Sequence, residues 1–265
     1  MANYNRDFED LYSFYRFAMT RCDSRNKSSR EKHNLSWYGG VTWKEACQLA
    51  TCGWAEGARE VEKYRAIIYE NLVEYLPQQN IENAVSGYAV DIGAYLSNCP
   101  ECFYRRELSK PVAKAPVVRI VVSLSFSASV HPEIIVKRGA MICAMADAVE
   151  QAGYSVEIIA NDSAEYRGVT SEMNVVVKQS TRALNVASLA FCLAHPAMLR
   201  WLFFSAEERT GWADYAYAYG YPIDASEPGE VYFGAIRTGV SPSMDEMKSD
   251  ILKRMSKLGI LIPER

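Results

Sequence analysis

The segment between residues 117 and 160 constrains the fold most, because it combines two strand patterns with a helix pattern. Residues 117–126 (VVRIVVSLSF) alternate along one apolar face, and residues 154–160 (YSVEIIA) form a second β-branched run. Between them, residues 133–153 carry the apolar spacing of a helix. A crossover helix of this length joins neighbouring strands of a parallel sheet, so the segment predicts a βαβ unit.

We therefore predict an α/β fold, a mostly parallel sheet with crossover helices in a Rossmann-like arrangement, over residues 111–265. Further strands are predicted at 173–179 and 230–237. Residues 1–110 are predicted to form a helical N-terminal region, and the two prolines of KPVAKAP (110–116) mark the boundary.

Local signals predict where three of the helices begin. Aromatic and apolar residues spaced by three and four predict a helix from about 6 to 20. Thr42 with Glu45, and Ser243 with Glu246, have the spacing of capping boxes, which start a helix at the next residue.

Four serines follow one another at alternate positions near the end of the first strand. One face of residues 117–130 is apolar throughout, whereas the other turns polar at Ser123 and continues through Ser125, Ser127 and Ser129. Ligands of open parallel sheets bind beyond the carboxyl ends of the strands. We therefore expect the serines to form a polar rim at the place where a binding site would lie.

The strand, the Ser-x-Ser-x-Ser pattern and a helix with a glycine near its start resemble the first half of a von Willebrand factor A (vWA) domain. That family holds a divalent cation with the oxygens of an Asp-x-Ser-x-Ser loop. The resemblance places Ser123 where the aspartate stands, makes Ser125 and Ser127 candidate ligands of Mg²⁺, and implies a second aspartate, for which Asp162 is the candidate. Because neutral hydroxyls bind a hard cation weakly, we expect a degenerate, unoccupied metal loop and no cofactor.

An enzyme is the first alternative. His131 lies just past the serines, so a hydrolase could use Ser127 or Ser129 with His131, or a metal ion could assist the reaction. The sequence has no G-x-S-x-G elbow and offers no identifiable acid partner for the histidine.

Nucleic-acid binding is the second alternative. Lys137 and Arg138 open the crossover helix, where a basic pair opposes the helix dipole and is a candidate contact for an anion. Gly139 is expected to allow close approach of strand and helix. Residues 21–32 are locally basic, but the net charge of −3 gives no general attraction to nucleic acid.

The cysteine content and the hydropathy of the sequence predict the cellular compartment of the protein. Cys99 and Cys102 form a CxxC pair in a presumed connector, residues 78–116, without the second pair of ligands that a zinc site needs. Seven cysteines without a disulfide framework predict a reducing, cytoplasmic setting. No apolar run reaches the roughly 18–20 residues that span a membrane.

Three segments resemble an uncharacterised family of bacteriophages and mobile elements: WYGGVTWKEA…GWAEGA (37–58), residues 136–158 and residues 193–208. The resemblance implies a phage setting, hence a host cytoplasm, and no particular activity. The tyrosine-rich segment GWADYAYAYGYPID (211–224) is a candidate recognition surface, although its residues could equally pack under the last strand.

These observations together predict a non-enzymatic protein-interaction or assembly factor with a protein partner. The predicted contact surface lies at the carboxyl edge of the sheet and comprises Ser123, Ser125, Ser127, His131 and Asp162, with the tyrosine-rich segment as a second candidate.

Overall fold

The computed structural model describes residues 4–20, 22, 24, 34–69, 80–86, 89–107, 117–151, 154–229, 231–237 and 243–257. Its strands are β1 (Arg6–Phe8), β2 (Asn80–Ala84), β3 (Ala89–Val90), β4 (Phe103–Glu107), β5 (Val117–Ser123), β6 (Ser155–Tyr166), β7 (Val169–Lys178), β8 (Tyr221–Pro222) and β9 (Val231–Phe233). Its helices are α1 (Leu11–Ala18), α2 (Trp43–Cys52), α3 (Ala55–Tyr69), α4 (Ile92–Leu96), α5 (Pro132–Gln151), α6 (Val186–Ala194), a π helix (Met198–Phe203), α7 (Phe204–Thr210), α8 (Trp212–Tyr215) and α9 (Met244–Lys257).

The central sheet confirms the predicted α/β class. Its strand order is β1-β7-β6-β5-β9, and β8 pairs with β6. The pairs β5/β6, β5/β9 and β1/β7 are parallel, and α5 is the crossover between β5 and β6, as the βαβ pattern predicts. The predicted vWA-like or Rossmann-like layout is compatible with this order.

The hairpin of β6 and β7 departs from a purely parallel sheet. The strand predicted to end at residue 160 continues to Tyr166, and β7 returns antiparallel beside it. The turn between them consists of Arg167 (φ 52°) and Gly168 (φ 78°), and two positive φ angles suit a tight hairpin turn. A turn this short forces an antiparallel pair.

Helix α5 is buried along most of its length because apolar side chains cover nearly its whole circumference. It packs between the sheet and helices α3, α6 and α9. Gly139 does allow a close approach, as predicted, but the prediction that the approaching element is a strand is wrong. A Cβ on Gly139 would overlap the backbone of Leu193 and Ala194, so the close approach is between α5 and α6.

Helices α1, α2 and α3 confirm the predicted helical N-terminal region, but its first helix is shorter than predicted. Instead of one helix from 6 to 20, strand β1 precedes α1, because Asp10 caps the helix by accepting a hydrogen bond from Ser13 N at 2.8 Å. Both predicted capping boxes are present, at Thr42 with Glu45 and at Ser243 with Glu246. Strand β1 joins the central sheet beside β7, and the domain division at residue 110 stays a prediction.

The presumed connector contains a small sheet of its own. Strands β2, β4 and β3 form a three-stranded antiparallel sheet, with α4 between β3 and β4. The interpretation of residues 78–116 as a plain connector is therefore wrong for residues 80–86 and 89–107. The predicted boundary at 110–116 lies outside the described residues.

In the part of the chain that the structure describes, no single helix combines the length and the hydropathy of a membrane span. Helix α6 taken with Met198–Thr210 passes the same test on length and composition, and that pair is bent by 69°.

Candidate functional site

The serines beyond β5 do not form one exposed rim. Ser123 and Ser125 are buried, which corrects the expected wet edge at these two positions. The alternation along the strand puts both side chains on the predicted face. Segments from later in the sequence, including α7 and the tyrosine-rich segment, cover this end of the sheet. Ser127 is half-buried and Ser129 is exposed, and their hydroxyls lie 3.0 Å apart.

Ser125 and Asp162 form the centre of a buried polar group. Ser125 Oγ donates to Asp162 Oδ1 at 2.9 Å and accepts a hydrogen bond from Ser163 N at 2.7 Å. Beneath them, Ser123 Oγ accepts from Ser125 N at 3.2 Å. Asp162 lies within β6, whereas the sequence placed it just after the strand. The parallel pairing of β5 with β6 brings the carboxyl end of β5 beside it.

Asp162 and Ser125 line a cavity of about 460 Å³ at this end of the sheet. The tyrosine-rich segment contributes Tyr217, Tyr219 and Tyr221 to the same cavity, so two regions that the sequence proposed separately meet here. The remaining lining is mostly apolar: Trp37, Phe126, Ala128, Ala164, Leu199, Phe204, Ala218, Gly220 and Pro222, with Ser127, Ser163 and Glu207. This size and this mixture of apolar walls with a few polar groups are typical of ligand sites.

The aromatic wall is held in place by specific contacts. Tyr219 stacks on Phe204, with ring centroids 3.7 Å apart and planes 5° apart, and its hydroxyl donates to Glu208 Oε1 at 2.8 Å. Trp37 Nε1 donates to Ala128 O at 3.0 Å. Tyr217 and Tyr221 are 82% and 68% exposed, so they form the mouth of the cavity.

Glu207 is the residue of this cavity that the sequence interpretation missed. It lies on α7, is buried, and shares the cavity with Asp162. The run SAEER resembles a solvated helix face, and only the apolar positions around it, such as Leu202, Phe203 and Ala206, indicate that this helix is buried on several sides.

Both cavity carboxyl groups have raised pKa values. Burial raises the pKa of Asp162 to about 6, although the hydrogen bond from Ser125 opposes the shift. Burial raises the pKa of Glu207 well above its usual range, and the charges of Asp162 and Glu208 add to the effect. Asp162 Oδ2 and Glu207 Oε2 are buried without a hydrogen-bond partner among the described residues. Buried polar atoms without a partner are uncommon in folded proteins, so these two oxygens mark the cavity as a candidate functional site.

The other predicted residues lie elsewhere. His131 is exposed and its Nδ1 accepts from Glu133 N at 3.4 Å; within the described residues, no hydrogen bond joins it to Ser127 or Ser129. The geometry therefore does not assemble the serine–histidine pair of a hydrolase.

The two basic residues near the start of α5 differ in their exposure to solvent. Lys137 is exposed, whereas Arg138 is buried and donates to Ser123 O at 3.0 Å and to Gly234 O at 2.7 Å. Arg138 thus ties β5 to the end of β9, and its guanidinium does not face solvent as an anion contact would. Of the basic segment 21–32, all but residues 22 and 24 lie outside the described residues.

A resident metal ion has few ligands in this arrangement. Among the residues described, no group of three or more His, Cys, Asp or Glu side chains is arranged to hold a metal. Ser125 uses its only proton on Asp162, and Ser127 bonds with Ser129. Cys99 is exposed and Cys102 is buried, both as free thiols.

Comparison with known proteins identifies the family without assigning an activity. Neither a curated protein nor a solved structure matches the chain. Residues 2–262 match the model of a family described as "Domain of unknown function (DUF7192)".

Proposed function

We propose that this chain, which belongs to the DUF7192 family, is a non-enzymatic protein-interaction factor. Its cavity would bind a basic side chain of a partner protein. The observation that supports this proposal is the pair of buried carboxyl groups, Asp162 and Glu207, each with an unpartnered oxygen at one cavity. A positive group entering the cavity would offset the free-energy cost of burying these acids.

The walls of the cavity favour an organic cation. Trp37, Phe204 and Tyr219 surround the space beside the carboxyl groups, and aromatic faces attract guanidinium and ammonium groups. The exposed Tyr217 and Tyr221 at the mouth suit contact with the surface that carries the basic side chain. An arginine or lysine side chain of a partner protein has the charge and the apolar stem for this site.

A divalent cation fits the cavity less well. The space of about 460 Å³ far exceeds one ion, and Mg²⁺ requires six oxygen ligands in near-octahedral geometry. Mg²⁺ at Ser125 and Ser127, the site implied by the vWA resemblance, is therefore an outcome that the experiment below distinguishes.

The setting is proposed on the sequence resemblance alone. We propose that the partner belongs to a phage or mobile element and that the interaction takes place in the host cytoplasm. The resemblance of residues 37–58, 136–158 and 193–208 to such proteins supports this setting.

Titration with matched small ligands tests the proposal. N-acetyl-arginine amide and N-acetyl-lysine amide are titrated into the protein at pH 8, with N-acetyl-citrulline amide as the neutral control of nearly the same shape. We expect both cationic ligands to raise the melting temperature and to saturate in calorimetry. At 100 times its Kd a ligand adds about 2.7 kcal/mol to the free energy of unfolding. Citrulline amide should leave the protein unchanged.

Variants locate the binding. Asp162→Asn and Glu207→Gln should each weaken binding of the cationic ligands at least tenfold. Asp147→Asn is the matched control, because Asp147 is a buried carboxylate that pairs with Arg65 at 2.7 Å and does not line this cavity. Equal responses to arginine and citrulline amides, or unchanged binding in both cavity variants, would refute the proposal. A response to Mg²⁺ or Mn²⁺ that Ser125→Ala removes would replace it with a metal site.

A further inference from the structure

A second cavity, of about 580 Å³, lies on the other side of Trp37. It is formed by the start of α5, by α3 and by the junction of α6 with the π helix. Its apolar walls comprise Trp37, Trp54, Val136 and Pro196. Among the described residues, it shares only Trp37 and Ala128 with the cavity of Asp162 and Glu207, called the carboxylate cavity below. It is independent of the proposed function.

His195 lies on the lining of this cavity in a fixed orientation. It ends α6 with extended backbone, as the following Pro196 requires, and it is 4% exposed. Its ring meets Trp54 edge to face at 4.6 Å between centroids and stacks near Phe191 at 5.5 Å. These contacts leave the imidazole little rotational freedom.

The hydrogen bonds of His195 determine which nitrogen carries the proton. Nδ1 accepts from Ala197 N at 3.1 Å, so a neutral ring carries its hydrogen on Nε2. Burial lowers the pKa of His195 to about 4, which keeps the ring neutral at physiological pH. No described residue accepts a hydrogen bond from Nε2. Nε2 is not among the fully buried atoms that lack a partner, so it is open to the cavity, where an acceptor on a ligand can take its hydrogen bond.

We propose that this cavity binds a flat aromatic or heteroaromatic ligand whose carbonyl oxygen or ring nitrogen accepts a hydrogen bond from His195 Nε2. The two tryptophans and Pro196 offer apolar surfaces for a planar ring. A single neutral donor selects for an acceptor and gives no preference for a charged group. Lys137 and Glu133 stand at the exposed rim, where polar substituents of the ligand would reach solvent.

The test uses four planar probes: benzamide, nicotinamide, uracil and adenine. Protein labelled with ¹⁵N-histidine is titrated with each probe, and the Nε2 resonance of His195 is followed by NMR. The chain has three histidines, so His195→Phe identifies the signal, or His33→Asn and His131→Asn identify it by elimination. We expect at least one probe to shift the His195 Nε2 resonance in a saturable manner.

Two variants of α5 show whether the shift reports binding in the cavity. Val136→Phe places a ring in the cavity and should weaken probe binding at least tenfold. Ile134→Phe is the control, because Ile134 is also half-buried on α5 but does not line the cavity. Asp162→Asn should bind the probes as the wild type does. The proposal is wrong if none of the four probes shifts the His195 resonance, or if Val136→Phe binds as tightly as Ile134→Phe.

Discussion

Asp162 shows how a single residue can oppose stability at the candidate site. Burial holds its pKa at about 6, above the ordinary value of 3.8. The folded chain keeps this proton at pH values where the unfolded chain has lost it. The carboxyl group therefore costs no stability below about pH 4, where both states hold the proton, and its cost develops in full as the pH rises through 6. The difference corresponds to about 3 kcal/mol at neutral pH.

Asp162→Asn is expected to stabilise the free protein in a pH-dependent manner. The amide keeps the acceptor for Ser125 and cannot ionise, so the variant should exceed the wild type by up to about 3 kcal/mol at pH 8. The gain should shrink toward zero near pH 4. Urea unfolding at several pH values measures it, with Asp147→Asn as a paired carboxylate that should lose stability instead. A difference between variant and wild type that is constant with pH would contradict the assignment.

The residues of the site differ in how far the sequence could predict them. Ser125 was identifiable because strand periodicity and the rule on carboxyl ends need only local pattern. Asp162 was a candidate only because the resemblance to the vWA family implies a second aspartate. The burial of Ser123 depends on segments far along the chain, and alternation along a strand does not reveal them. For Glu207 the local pattern indicates only a buried helix. Its place beside Asp162 depends on β6 and the tyrosine-rich segment, which line the same cavity as α7.

At the level of elements, features set by nearby residues were again predicted and features set by distant segments were missed. The capping boxes and the βαβ unit rest on residues close in sequence or on a clear periodicity, and both predictions are confirmed. The sheet of β2, β3 and β4 was missed because Asn80 pairs with Glu107 across a long interval of weak pattern. The partner of Gly139 was assigned wrongly for a related reason: a glycine in a helix indicates close approach without naming the element that approaches.

Gly139→Ala tests the contact between α5 and α6. Alanine favours a helix by about 1 kcal/mol over glycine, so an isolated helix would gain stability. Here the new methyl group would overlap the backbone of Leu193 and Ala194, and separating packed helices costs about 1–3 kcal/mol or more. We expect a net loss in the free energy of unfolding, measured by denaturant titration.

Gly93→Ala in α4 is the matched control for this variant. Its added methyl group would meet its nearest neighbour, Asp91 Oδ1, at 3.4 Å, an ordinary contact. The control should be neutral or slightly stabilising. A Gly139→Ala protein as stable as Gly93→Ala would mean that α5 and α6 can separate without cost.

At the scale of the whole molecule, Arg200 joins three distant parts of the chain. It lies in the π helix, is 1% exposed, and donates to Trp37 O and to Val130 O. Its guanidinium also lies 4.3 Å from the centre of the Trp37 ring. Because Trp37 is a wall of both cavities, one buried arginine positions the partition between the carboxylate cavity and the His195 cavity.

Arg200→Met should therefore lower stability and weaken both binding sites together. Methionine fills much of the space but leaves the carbonyl oxygens of Trp37 and Val130 unpaired, at a cost of roughly 1–3 kcal/mol each. Arg209→Met is the control, since Arg209 is exposed on α7 and its guanidinium lies 4.7 Å from the centre of the Phe17 ring, a contact worth about 1 kcal/mol or less. Urea unfolding measures stability, and titrations with N-acetyl-arginine amide and with benzamide measure the two cavities. If Arg200→Met loses stability while both ligands bind as they do to Arg209→Met, Arg200 supports the core without positioning the wall, and the two cavities are held by separate parts of the fold.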